Sequence, residues 1–164
     1  MREPVAAVVV ATLCAALMLS SGCALREGRP FEPTLRPEPS AVREVQAVLD
    51  LQTEAWNRGD LNAFMAYYWR SPDLTFSSGG ATTRGWDATA ERYRRRYPDA
   101  AAMGRVSFDG IEYFQLDERA MLVLGNWRLQ RGDESFGGNF SLALRRFDEG
   151  WRIVHDHTSV TPAP

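Results

Sequence analysis

The side chains best able to do chemistry sit together near the C-terminus, where both histidines of the chain flank a carboxylate in His155-Asp156-His157. Read as a strand, Trp151 to Ser159 sends successive side chains to opposite faces. Trp151, Ile153, His155, His157 and Ser159 then share one face, and Arg152, Val154, Asp156 and Thr158 share the other. The first of these faces turns polar only at its far end, which suits a strand that begins in a core and ends at a cavity or an interface. Within hydrogen-bond reach of a ligand, Asp156 is a candidate general acid or base, with His155 or His157 as its catalytic companion. The alternative for Asp156 is a carboxylate held by backbone or arginine at a rim. Two imidazoles spaced as H-x-H can ligate a metal, but a carboxylate would have to complete the set. A hydrogen-bonded histidine pair at a dimer interface is the simpler reading, and neither a metal site nor a cofactor is expected.

Other residues could surround such a site. Trp56, Tyr67, Phe76, Tyr93 and Trp127 supply the aromatic walls of a small-molecule pocket, or simply a core. Arg92, Arg94, Arg95 and Arg96 could attract anionic headgroups or a partner, or form a solvated helix end favoured by the helix dipole. Gly137-Gly138 precedes no helix and so is not a phosphate loop. A bulge or a close backbone approach accounts for it.

These residues must be positioned by the elements around them. Val42, Val45, Val48, Leu49 and Trp56 recur at helical spacing, with Ser40 as the expected cap and Gly59 as the stop. Asp60 should cap a second, shorter helix carrying Leu61 to Tyr68 and halted before Pro72. A strand follows over Leu74 to Ser77, then a turn at Ser78-Gly79-Gly80, then a third helix from Gly85-Trp86-Asp87 to Tyr97. Beyond Gly104 four strands are expected, Val106–Gln115, Ala120–Gln130, Phe136–Phe147 and Trp151–Val160, joined by polar turns. Asp109-Gly110 interrupts the alternation between Phe108 and Ile111, which predicts a bulge. Helices followed by hairpins give an α+β fold with the helices on one face of an antiparallel sheet.

The N-terminal apolar run, Val5 to Leu19, is too short to span a bilayer and leads into Ser20-Ser21-Gly22-Cys23. It resembles a bacterial lipoprotein signal, which implies cleavage after residue 22 and a lipid on Cys23. That places the protein in the cell envelope, attached to a membrane through Cys23. The alternative is a plain secretory signal and a secreted protein. Residues 23–39, punctuated by Pro30, Pro33, Pro37 and Pro39, read as a tether. Residues 40–160 are then a single domain. Net charge is -2, which argues against a general nucleic-acid binder. With Cys14 in the signal and Cys23 lipidated, no thiol is left for a disulfide.

Ala55-Trp56-Asn57-Arg58-Gly59-Asp60, Gly85-Trp86-Asp87, Gly125-Asn126-Trp127 and Gly150 to Ser159 together resemble the nuclear transport factor two-like superfamily. The similarity runs from Ser40 to Ser159 and is nearest to SnoaL-like proteins and the association domain of calcium/calmodulin-dependent kinase. It implies a cone-shaped, strongly bent antiparallel sheet packed on three N-terminal helices, with an internal pocket and a sheet face used for dimerisation. Compared with ketosteroid isomerase, the oxyanion tyrosine, base aspartate and second acid fall near Gln52, Ser78 and Ser141, none of which can abstract a proton. The pocket arginines of the kinase domain fall on Asn126, Ser141 and Thr158, but the same comparison turns Asp156 and Thr158 into the cavity. The expectation is therefore a binding domain for a small apolar ligand, held by Trp56, Tyr67, Phe76, Asn126, Ser141, Thr158 and Asp156. The alternatives are an isomerase, dehydratase or hydrolase using Asp156 with a histidine, and a homodimerisation module.

Overall fold

The computed structural model describes residues 36–161. The signal over residues 1–22, Cys23 and most of the tether lie outside the described residues. Among the described residues, no helix is long and apolar enough to cross a membrane.

Helix α1 spans Pro39–Asn57, with Glu38 at its N-cap and Pro39 in the first turn. Ser40 is therefore inside the helix and does not cap it. The fixed φ of proline suits the first helical position, where its missing N–H costs no bond, and this moves the start upstream. Gly59 ends the segment at φ 78, as its lack of a Cβ permits. The buried stripe of α1, from Ala41 through Val45, Val48, Leu49 and Gln52 to Ala55 and Trp56, faces the sheet. Truncating Leu49 to alanine there would cost about 2–5 kcal/mol.

Asp60 caps α2, Leu61–Met65, by accepting from Ala63 N at 2.9 Å. This helix is shorter than expected, because Tyr67–Trp69 leaves it to pair with the last strand. Ile153 N donates to Tyr67 O, and Trp69 N donates to Ile153 O, both at 2.9 Å. Strands β1, Thr75–Ser78, and β2, Ala81–Arg84, form a hairpin, followed by α3, Trp86–Arg96, and the single turn α4, Ala100–Met103. Four long strands complete the chain: β3, Arg105–Asp117; β4, Ala120–Arg131; β5, Glu134–Phe147; and β6, Gly150–Thr158.

The result is the expected α+β architecture, with a curved, unclosed sheet in the order β2-β1-β6-β5-β4-β3. One pairing departs from an all-antiparallel sheet, since β1 runs parallel to β6. Alternate residues of the long strands, including Met121, Val123, Phe140, Leu142 and Leu144, point at the helices and form the core with them. Asn57 clasps the two layers: its Nδ2 donates to Val106 O at 3.0 Å, and its Oδ1 accepts from Val106 N at 2.7 Å.

The register slips at three places in the described sheet, and two of them bear on the site. The ladder between β3 and β4 slips between Asp109 and Glu112, at the bulge expected from Asp109-Gly110. A second slip, between β5 and β6, was not expected. Ala143 pairs with His155 but Leu144 pairs with Ile153, so Val154 is the extra residue. A bulge of this kind reverses the alternation beyond it. Trp151 and Ile153 are buried on the inner face, and Asp156, not His155, continues it.

Candidate functional site

The inner face of β6 opens into a cavity of about 630 Å³ between the helices and the sheet. Its wall is mostly aromatic and aliphatic: Trp56 from α1, Phe64 from α2, Phe76 from β1, Tyr93 from α3, and Trp127 and Phe140 from the sheet. The rings brace one another, with centroids of Trp56 and Phe64 5.0 Å apart, Phe64 and Tyr93 5.4 Å, and Phe76 and Tyr93 5.5 Å. Such edge and tilted packing fixes ring positions and so preserves the hollow.

Asp156 lies in this wall and is only 3% exposed. Tyr68, equally buried, donates its hydroxyl to Asp156 Oδ2 at 2.7 Å. The contact exists because Tyr68 is held in a parallel bridge to Ile153, beside the β6 bulge. Asp156 Oδ1 is enclosed and has no hydrogen-bond partner among the described residues. An unpaired buried acceptor costs about 1–3 kcal/mol. Burial pushes the carboxyl up to about 7, against a smaller downward pull from the Tyr68 hydrogen bond. Both protonation states are thus populated near neutrality. Burial, and secondarily the charge of Asp156, raises the hydroxyls of Tyr68 and Tyr93 well above the ordinary tyrosine range, so both remain donors.

The other expected site residues divide. Trp56, Phe76 and Thr158 line the cavity with Asp156, as do Tyr93, Trp127, Gln52 and Ser78. Gln52 is buried and donates to Phe64 O at 3.3 Å, which ties α1 to α2. Tyr67 packs against the core outside the cavity wall. Ser141 faces away from it, because Phe140 and Leu142 on either side take the inner positions of β5. Asn126 lies in a separate polar groove, donating to Asp109 Oδ1 at 2.9 Å and accepting from Asn139 at 2.7 Å.

His155 and His157 do not line the cavity. The Val154 bulge sets them on the outer face, opposite Ala143 and Ser141. His155 Nδ1 meets Thr75 Oγ1 at 2.7 Å, and desolvation followed by the nearby charge of His157 lowers its pKa. The pairing of Asp156 with a histidine is therefore replaced by a pairing with Tyr68. Among the described residues, no three His, Cys, Asp or Glu side chains form a group able to hold a metal.

Sequence reasoning missed Tyr68 and Arg131, both of which line the cavity. The signal for Tyr68 was present, since a tyrosine among the apolar positions of a helical segment needs a partner for its hydroxyl when buried.

Residues 45–164 match the SnoaL-like domain. A nuclear transport factor 2-like protein of unknown function from Shewanella oneidensis is 38% identical, and the match covers 72% of this chain and 98% of that one with a TM-score of 0.69. A cystatin-like-fold protein of unknown function from Nostoc punctiforme is 8% identical over 77% of this chain and 95% of its own, at a TM-score of 0.64. A nuclear transport factor 2 superfamily protein from Salmonella enterica is 20% identical over 76% and 93%, at a TM-score of 0.61. These last two share the fold. No curated protein matches the sequence.

Proposed function

The chain belongs to the SnoaL-like domain family, and from that premise we propose that its cavity binds a small, largely apolar molecule and that Asp156 exchanges a proton with it. The observation that carries this reading is a fully enclosed carboxyl with one oxygen fixed by Tyr68 and the other unpartnered, in the wall of an apolar cavity. A residue needed only for packing would be apolar here, since burying a charge without full pairing is costly. A carboxyl at about 7 is matched to general acid–base work at neutral pH. In the forward step Asp156 takes a proton from a carbon or hydroxyl of the ligand and becomes neutral, leaving the electron pair on the ligand. In the return step it gives the proton back at the same or a neighbouring atom. Proton exchange requires the side chain to turn Oδ1 toward the cavity, and Tyr93 is the neighbouring hydroxyl that can meet charge developing on the ligand.

The test is the base-promoted ring opening of nitrobenzisoxazole, an apolar probe for a desolvated carboxylate. The rate should rise with pH through a midpoint near about 7 and be lost in Asp156→Asn. Equal rates in the variant and the parent would remove Asp156 as the base.

Two further parts of this reading rest on other residues. Lipid attachment at Cys23, in the cell envelope, is supported by the Ser20-Ser21-Gly22-Cys23 pattern; fatty-acid labelling that persists in Cys23→Ala would refute it. Homodimerisation through the outer sheet face is supported by Phe114, Leu122 and Ala143, which pair in register across that face next to His155. Sedimentation at high protein concentration showing only monomer would refute that.

A further inference from the structure

Apart from Asp156, the charged groups of the cavity wall are all positive. Arg92, Arg95 and Arg96 from α3 and Arg131 from the end of β4 all line it, and Asp156 is the single carboxylate among the described lining residues. Arg95 is partly answered by Glu91 at 3.5 Å. Neither Arg92, Arg96 nor Arg131 has a carboxylate within salt-bridge distance among the described residues. Two of these guanidinium groups are positioned without being neutralised. Arg92 lies over the Phe76 ring at 5.3 Å and Arg131 over the Phe136 ring at 4.5 Å, and both rings belong to the cavity wall. Stacking of this kind orients the planar fork and leaves its edge free for an oxyanion.

Arg131 adds an independent sign. Its Nε is buried with no acceptor among the described residues. Buried donors are nearly always paired, and a charged one left alone is costly. An acceptor reaching Arg131 from within the cavity would satisfy it. Asp156 is level with Leu142 of β5 and, through it, with Val123 of β4, whereas Arg131 closes the far end of β4. Asp156 and Arg131 thus stand at different levels of the wall, whereas Arg92 lies over Phe76, the β1 residue level with Asp156.

We propose that the ligand is an organic acid: an apolar body that fills the aromatic part of the cavity and one oxyanion, carboxylate-like, held by Arg131. This deepens the reading of the cavity given above and rests on it. It also sets the orientation, because an anion fixed by Arg131 at the end of β4 leaves the opposite end of the molecule toward Asp156. A guanidinium fork binds carboxylate in a planar, two-bond arrangement, which is why arginine serves here better than a point charge would.

The experiment compares two fluorescent probes with the same apolar body, anilinonaphthalene sulfonate and its uncharged counterpart phenylnaphthylamine. The anionic probe should bind roughly tenfold or more tightly than the neutral one. Arg131→Gln should abolish that preference and leave phenylnaphthylamine binding unchanged, while Arg94→Gln, outside the cavity, should alter neither. Dodecanoate should displace the anionic probe far better than dodecanol. Equal affinity for the two probes, or a preference that survives Arg131→Gln, would overturn the assignment while leaving the apolar cavity intact. Displacement by phosphatidylglycerol vesicles but not by dodecanoate would overturn the free acid in favour of a lipid headgroup. If neither probe binds a protein whose circular dichroism shows it folded, the cavity reading falls together with the anion site.

Discussion

Replacing Asp156 by asparagine should stabilise the protein at alkaline pH, the reverse of what removing a buried hydrogen-bonded side chain usually does. Asparagine keeps the shape, and its carbonyl oxygen can still accept from Tyr68, but the ionisable group is gone. Folding raises this carboxyl from 3.8 to about 7, mainly by desolvation. Between those values the native protein holds a proton that the unfolded chain has released, so stability falls as pH rises through that window. The full penalty is present above it and absent below about 4. The interval corresponds to about 4 kcal/mol at its upper limit. Between about pH 4.5 and about pH 8 the difference between variant and parent should change by about 3 kcal/mol in favour of the variant, or on the order of 10 °C in Tm. Urea unfolding of both proteins at both pH values measures this, and other titrating groups cancel in the comparison. A difference that stays constant within about 1 kcal/mol, or an asparagine variant that loses stability on going to alkaline pH relative to the parent, would refute the buried-acid argument.

Other changes test the surrounding framework. Tyr68→Phe removes the partner of Oδ2, 2.7 Å away, and should cost about 1–3 kcal/mol at alkaline pH. It should also move the midpoint of the nitrobenzisoxazole reaction upward, because that hydrogen bond is what lowers the Asp156 pKa. Asn57→Ala cuts both bonds to Val106 and should cost about 1–3 kcal/mol by urea unfolding, without changing the pH dependence. Gly138→Val would drive a side chain into the Ser159 carbonyl, where the chain crosses β5. It should release the bonds from Ser159 N to Asn139 O and from Thr161 N to Gly137 O, and limited proteolysis should then cut near Ser159 faster than in the parent.

The layers of the fold were legible because each obeys a local rule. Two-residue alternation between polar turns marked the four long strands, and glycine at positions 59 and 85 marked where helices stop and start. β2 escaped notice because Ala81–Arg84 is a short, largely exposed edge with no apolar alternation to read. The Val154 bulge left no signal, since an extra residue among strand formers looks like strand, yet it decided which side chains of β6 face the cavity. For the same reason the histidines attracted attention and proved to lie outside. Partners distant in sequence were equally hidden: Tyr68 and Asp156 are brought together only by the parallel pairing of Tyr67–Trp69 with β6. Arg131 reads locally as the polar end of a hairpin, and nothing near it in sequence marks it as a buried donor.

The last of the described strands to be synthesised, β6, takes an interior place in the sheet, between β1 and β5. Until residues 150–158 are available, those two neighbours present unpaired edges and the hollow has no floor. A nascent chain lacking β6 holds neither the full pocket nor a continuous ladder, and its exposed strand edges invite association with other unfinished chains. Because β6 pairs with β1 and with Tyr67–Trp69, about eighty residues earlier in the chain, collapse must wait on long-range closure, and assembly should be slow for a protein of this length.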